Sequence, residues 1–339
     1  MTVSEDFTSA TGRFRGELLA HCYRMLGSAE EAEDLVQETY LRAWRSFEGF
    51  EGRSSVRTWL YRIATNACLT ALERRARRPL PSGLGAPSGD PETTVVAGPE
   101  VPWLQPLPDA LLAADRADPS AVAASRAGIR LAFVAALQHL SARQRAVLIL
   151  RDVLEWPAAQ VADLLGTTTI AVNSGLRRAR AQLAQAPPAE DELAEPAEPG
   201  QRALLDRFAA AIENADANGL AQLLAEDVAL EMPPALTWFT GRQAVVEFTA
   251  SHLFTEPGAL RVVPVIANGQ PAFAVYRRES DGAYHAHAIQ VLTVTATAIA
   301  RIVAFTDPGL FTSFGLPTRH GTAAGSAGAP SPAPGSGSA

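Results

Sequence analysis

The 339-residue sequence has no lysine; all 29 basic residues are arginine. It has only two cysteines, Cys22 and Cys68, both inside apolar helical patterns. That is too few for a disulfide framework, and the six histidines show no zinc-ligand spacing with a cysteine. The cysteines read as small core residues, and neither a metal nor a cofactor is expected. No apolar run reaches the roughly 18 residues needed to cross a bilayer. Residues 1–14 lack the apolar stretch of a secretory signal, so a cytoplasmic protein without membrane contact is expected.

An excess of positive charge is also missing. The net charge of −7 argues against a nucleic-acid binder until its distribution is read. Residues 13–78 hold 12 arginines against 9 acidic residues, and residues 126–186 hold 8 against 3. Residues 190–320 reverse this, with 8 arginines against 16 acidic residues. Two basic segments are masked by an acidic third.

Composition divides the chain in the same way. Residues 13–78 and 126–186 are helical in pattern. Between them, 79–125 is rich in proline and glycine and reads as a flexible linker, although WLQPLPDALL (103–112) is too apolar for a pure spacer. That stretch is open to three partners: another protein, the C-terminal domain or the second helical module. A short Pro/Glu/Ala linker precedes a C-terminal domain at 200–317, and residues 318–339 have the composition of a disordered tail. The expected fold is therefore multidomain: two all-α modules followed by an α+β domain.

In the first module, Ser28 and Glu31 form a capping-box signature. The helix they open buries Ala32, Leu35/Val36, Thr39, Ala43 and Phe47. Its other face carries Asp34, Gln37, Glu38, Leu41 and Arg42. Asp34 and Glu38 are like charges at i,i+4, and Leu41 sits among them, so this face is either simply solvated or a docking surface. A second helix from Ser54 or Ser55 carries Arg62, Asn66, Thr70, Glu73 and Arg77 opposite its apolar stripe and ends in ERRARR (73–78). Those arginines suit either helix capping or a phosphate track.

The stretches AEDLVQETYLRAWR (32–45) and SSVRTWLYRIATNAC (54–68) resemble region 2 of the extracytoplasmic-function (ECF) group of sigma-70 factors. The resemblance implies that Asp34, Gln37, Glu38, Leu41 and Arg42 dock on the β′ clamp helices of core RNA polymerase. It also implies that the second helix reads the −10 element and captures a flipped base, through Phe50, Arg57, Arg62, Asn66, Arg74 and Arg77, with Phe50 as a stacking platform. Trp59 reads as core and is left out of that set.

In the second module, Ser141 and Gln144 form another capping box. A short helix with Val161, Leu164 and Leu165, the turn at Gly166, and a basic helix capped by Thr167–Thr169 make a helix-turn-helix pattern. Ile170, Val172, Leu176 and Leu183 are expected to point inward. Asn173, Ser174, Arg177, Arg178 and Arg180 are expected to reach DNA. Residues 140–181, with the ending VNSGLRRAR (172–180), resemble sigma region 4, which implies −35 binding and a place near the β flap. Gly175 stands where many relatives have arginine, a departure that removes a possible DNA contact.

The C-terminal segment reads as helices followed by alternating strands. With DVALEMPP (227–234) and WFTGR (238–242), it resembles the SnoaL-like group of the NTF2-like fold, a cone with a pocket. Pocket candidates are Trp238, His252, Tyr276, His285, His287 and Asp307, open to an unidentified small ligand. Histidines on one strand face read more readily as locally satisfied, and no constellation supports catalysis, so no enzyme is expected. The expected function is a sigma factor that directs promoter-specific initiation and is modulated by its C-terminal domain. The alternatives are a sigma factor fused to an active SnoaL-like enzyme and a stand-alone helix-turn-helix regulator. The promoter, the signal and any anti-sigma partner are not written in the sequence.

Overall fold

The computed structural model describes residues 3–52, 54–73, 77–98, 100–113, 128–184 and 199–321. The first module comprises α1 (Val3–Thr11), α2 (Arg15–Leu26), α3 (Ala29–Ser46) and α4 (Val56–Leu72). Gly27 ends α2 in the left-handed conformation at φ 72°, and an added Cβ there would lie 2.8 Å from Leu104 Cδ1. Glycine is therefore required twice, for the backbone angle and for the approach of the following segment. Cys22 and Cys68 are both buried and unpaired, as their apolar setting predicts.

The second module follows the short α5 (Ala110–Ala113) and comprises α6 (Leu131–Leu137), α7 (Ala142–Leu148), α8 (Ala158–Leu164) and α9 (Thr169–Leu183). The Ser141/Gln144 box closes in both directions at the start of α7.

In the C-terminal domain, α10 (Pro199–Glu213) and α11 (Ala217–Ala221) precede β1 (Leu224–Glu231), β2 (Trp238–Thr240) and α12 (Arg242–His252). Strands β3 (Leu260–Ala267), β4 (Gln270–Arg278), β5 (Tyr284–Val294) and β6 (Ile299–Phe305) follow, then α13 (Leu310–Ser313) and β7 (Arg319–His320). The sheet order is β2-β1-β6-β5-β4-β3, with β7 on β5 and β1 parallel to β6. One face, with Phe273, Val275 and Leu292, packs on Phe208, Ile212 and Phe248 of the domain's own helices. The other face, with Tyr276, Ile289, Val291 and Phe305, joins a core continuous with both helical modules.

Residues 79–98 and 100–113 do not run as a flexible linker. Leu80, Trp103, Leu104, Leu107 and Leu112 are buried, and this segment lies between the first module and the sheet. Short backbone pairings hold it, at Ala97 with Ala235 and at Pro108 with Ala267. The prolines shape a groove-filling strap, because its backbone donors are met by the domain rather than by regular structure. Of the three partners open to 103–112, the strap packs on the C-terminal domain; it packs as well on the first module, which was not among them. Residues 114–125 of the expected linker lie outside the described residues.

Candidate nucleic-acid interface and the surfaces that cover it

On α3, the Ser28 hydroxyl accepts the Glu31 N–H, and Ala32, Val36, Thr39 and Ala43 are buried. Asp34, Gln37, Leu41 and Arg42 are exposed and Glu38 is half-buried. Arg42 donates to Glu38 at 2.5 Å, which offsets the repulsion between Glu38 and Asp34. The sequence reading missed Trp44, which is 53 % exposed one turn beyond the 57 %-exposed Leu41. An aromatic at i+3 from an exposed leucine was the available signal, and together they form an uncovered apolar patch on a charged helix.

The residues read for the −10 element lie on or beside α4, and most already have partners. Arg57 Nε donates to Glu17 at 2.7 Å, and its guanidinium sits over the rings of Tyr61 and Trp156, at 5.1 and 5.8 Å. Arg62 pairs with Asp163 of α8 at 3.2 Å. Arg77 meets His139 Nδ1 at 3.0 Å and the Gly83 carbonyl. Phe50 packs against Trp59 with the rings tilted by 35° and centroids 4.8 Å apart, and Trp59 is only half-buried. Asn66 is exposed; Arg74 lies outside the described residues.

The second module supplies much of this cover. Trp156 is buried against Tyr61, centroids 5.1 Å apart, and Gln160 donates to the Thr58 hydroxyl at 3.0 Å. Arg24 of α2 donates to the Gly128 carbonyl at 2.7 Å. Arg145 of α7 spends its donors on the carbonyls of Met25, Gln138 and Leu140 and on the Gln138 side chain. Burial without a carboxylate pushes its pKa down to about 10.

Helix α9, expected to reach DNA, is far less occupied. The Thr168 hydroxyl accepts the Ala171 N–H. Asn173, Arg177 and Arg178 are exposed, and Arg178 reaches only Ser174. Arg180 is held by two bonds to Asp152, at 2.7 and 2.8 Å. Two expectations fail here. Ile170 does not point inward; it is 81 % exposed, because α9 buries the 172-176-179 phase and 170 falls opposite. Leu183 is only half-buried. Gly175 is buried, and an added Cβ would stand 3.9 Å from Val147 of α7.

The C-terminal pocket candidates do not converge. A cavity of about 40 Å³ lies between Phe208, Leu230, Met232 and Phe248, with His287, Gln290, Thr249 and Thr306 as its polar lining. Only His287 of the six candidates lines it. Its register explains why: a bulge in the β4–β5 ladder, between the pairs Val275–Ala288 and Tyr276–Ala286, turns His287 to the same side as Ala288 and Gln290. Strict alternation would have grouped His287 with Ile289 and Val291. Burial, then the Arg277 guanidinium, lowers the His287 pKa to about 4, so its ring is neutral near pH 7. Tyr276 lies on the opposite sheet face, donating to the Pro317 carbonyl. His285 pairs with exposed Asp281, and His252 stacks on Phe248. Trp238 donates to the Gly85 carbonyl, and Asp307 accepts the Gly309 N–H. No carboxylate lines the cavity among the described residues.

What the domain does present is a plug. Asn268 and Gly269 form the β3–β4 turn with φ 58° and 66°, the mirror-image hairpin geometry that Asn-Gly favours. Asn268 is fully buried. Its amide donates to Tyr23 Oη and to the Ile129 carbonyl, both at 2.7 Å, and its side-chain oxygen accepts the Leu107 N–H at 2.9 Å. Next to it, Gln270 accepts the Leu131 N–H and Asp109 accepts the Gly269 N–H, both at 2.8 Å. One turn thus joins α2, the strap and the entry to the second module. At the other end of the strap, the buried Glu231 accepts from Arg301 and from the Ser82 N–H.

Two arginine-rich helical modules, the second a helix-turn-helix, define a promoter-binding protein of two-module type carrying a mixed-sheet domain. Family models agree with that division: Sigma-70 region 2 over residues 12–78, Sigma-70 region 4 over 130–183 and a SnoaL-like domain over 205–302. The chain is 54 % identical to the ECF RNA polymerase sigma factor SigG of Mycobacterium tuberculosis, over 92 % of this chain and 84 % of that protein. It is 28 % identical to SigJ of the same species over 69 % of each chain. The crystal structure of the M. tuberculosis extracytoplasmic function sigma factor SigJ shares its fold, with a TM-score of 0.57 at 24 % identity, covering 94 % of this chain and all of that one. The chain belongs to the ECF sigma factors of the sigma-70 family. Among the described residues, no helix is long and apolar enough to cross a membrane.

Proposed function

We propose that this chain is a self-restrained sigma factor, which docks core RNA polymerase through α3 and directs initiation only after its C-terminal domain releases the two helical modules. The α3 face of Asp34, Gln37, Glu38, Leu41 and Arg42, extended by Trp44, is the polymerase-docking surface, fitting the β′ clamp. Phe50, Arg57, Arg62, Asn66, Arg74 and Arg77 serve the −10 element. Asn173, Ser174, Arg177 and Arg178 serve the −35 element, with Arg180 released from Asp152 or acting as a brace.

The observation that carries the restraint is Asn268. Each of its side-chain bonds would leave a buried group unpaired if broken, at about 1–3 kcal/mol each. The turn therefore favours one arrangement, in which α8 lies over Arg62 and Thr58. DNA entering that face must displace α8. The C-terminal domain is read as a clamp rather than a catalyst, because its cavity offers a neutral histidine with no carboxylate partner.

Run-off transcription with purified core enzyme tests this. Asn268→Gly keeps the left-handed backbone and removes only the side chain. It should raise initiation by roughly 5- to 100-fold, the range of a typical coupling free energy. Asp34→Arg with Glu38→Arg should abolish holoenzyme assembly. Unchanged output from a folded Asn268→Gly protein contradicts the restraint; normal assembly of the charge-reversed protein contradicts the docking face.

A further inference from the structure

Ile170 has no structural reason to be where it is. At 81 % it is the most exposed of the large apolar side chains among the described residues. It sits in the first turn of α9, where the helix buries Val172, Leu176 and Ala179 instead. Leaving an isoleucine in water forgoes the stabilisation that burial would bring. Its neighbours on the same face are Asn173 at i+3 and Arg177 at i+7, both exposed. Thr168 fixes the start of the helix through the Ala171 N–H, so this turn is ordered and the side chain is held outward.

In a helix-turn-helix, the N-terminal residues of the second helix face base edges in the major groove. The groove presents four hydrogen-bonding patterns and one apolar group, the 5-methyl of thymine. A lone apolar side chain flanked by an amide and a guanidinium matches that inventory: Asn173 for an adenine edge, Arg177 for guanine or phosphate, and Ile170 for the methyl.

We infer that Ile170 is a specificity-determining residue that reads a thymine 5-methyl group in the upstream promoter element. The inference rests on the proposed role of α9 as the DNA-reading helix. Because Ile170 is 81 % exposed, Ile170→Ala removes the contact without opening a cavity.

The test uses holoenzyme assembled from the full chain and core polymerase. It selects bound duplexes from a randomised pool amplified with either dTTP or dUTP, since uracil lacks only the methyl. The wild-type protein should enrich thymine at one upstream position about three- to tenfold, the worth of one or two buried methyl-sized groups. That preference should vanish in the uracil pool, and equally with Ile170→Ala in the thymine pool. Thymine enrichment that survives either change overturns the inference, as does the absence of any upstream thymine preference. An Ile170→Ala loss of equal size in both pools also overturns it, pointing to a polymerase contact instead. Arg177→Ala checks the underlying reading separately: upstream selection that ignores this change removes α9 as the reading helix, whatever Ile170 does.

Discussion

The two arginine-rich surfaces differ in how much of each is already in use. On the first module, Arg57, Arg62 and Arg77 are held by Glu17, Asp163 and His139, and α8 covers the middle of the track. On the second, α9 leaves Ile170, Asn173 and Arg177 facing outward. Sequence charge is the same kind of signal in both places, yet one surface is stored and the other displayed. On the proposed function, a chain built this way samples upstream DNA with α9 while its −10 surface waits for core polymerase. Two weak contacts then reinforce each other only when both sites lie on one duplex.

That contrast can be broken. The largest effect should come from Arg177→Ala, which should weaken binding of the free chain to upstream DNA by roughly 10- to 100-fold, the worth of a good base contact. Arg62→Ala should leave the same free-chain binding unchanged and reduce promoter opening only in the holoenzyme. Equal losses from both changes in a fluorescence-anisotropy titration would mean that the first surface is not stored.

Asp163→Ala sharpens the comparison. The Arg62–Asp163 pair is partly exposed, so its loss should shift the closed arrangement by no more than about 1 kcal/mol, at most some fivefold in free-chain affinity for −10 single strands. A much larger gain would make this pair, rather than Asn268, the main restraint.

Acid should act through two histidines, one in the first module and one in the C-terminal domain. His21, buried beside Tyr61 with Nε2 on Thr65, has its pKa lowered to about 3 by burial and then by Arg24. His287 is lowered to about 4. Both are neutral when folded and titrate near 6.5 when unfolded, so the unfolded chain takes up more protons. Stability should fall as pH drops from about 6.5 towards 4 and, for His21, towards 3. His287→Gln should flatten the 6.5-to-4 part of this decline in chemical denaturation; an unchanged slope would mean that His287 is not buried as described.

Local signals were legible and long-range ones were not. Ser28, Ser141 and Thr168 cap the helices their sequence patterns announce, because capping is settled within four residues. The exposed face of α3 was readable from Asp34, Glu38 and Leu41 for the same reason. Residues 79–125 read as flexible linker from their prolines and glycines; the apolar stretch around Leu104 and Leu107 announced a docking partner, but which one was not legible, because Gly27, which Leu104 approaches, and Asn268, which takes the Leu107 N–H, are distant in sequence. His287 was legible as a pocket residue but the reason was not: strict alternation would put it with Ile289 and Val291, and only the one-residue bulge in the β4–β5 ladder turns it to the cavity side. Ile170 was turned inward on hydropathy alone, where the phase of Val172 and Leu176 would have put it outside. The Asn268 plug carried one local clue, the Asn-Gly turn, but nothing local reveals what such a turn enters.

The central claim is tested most directly by the distance between the modules. Cysteines placed at Thr70 on α4 and Ala181 on α9, both exposed, accept spin labels while the buried Cys22 and Cys68 stay unreactive. Pulsed dipolar spectroscopy should give one short distance in the free chain, a longer one on core polymerase, and a mixture of both in free Asn268→Gly. The same short distance in all three samples would contradict the account.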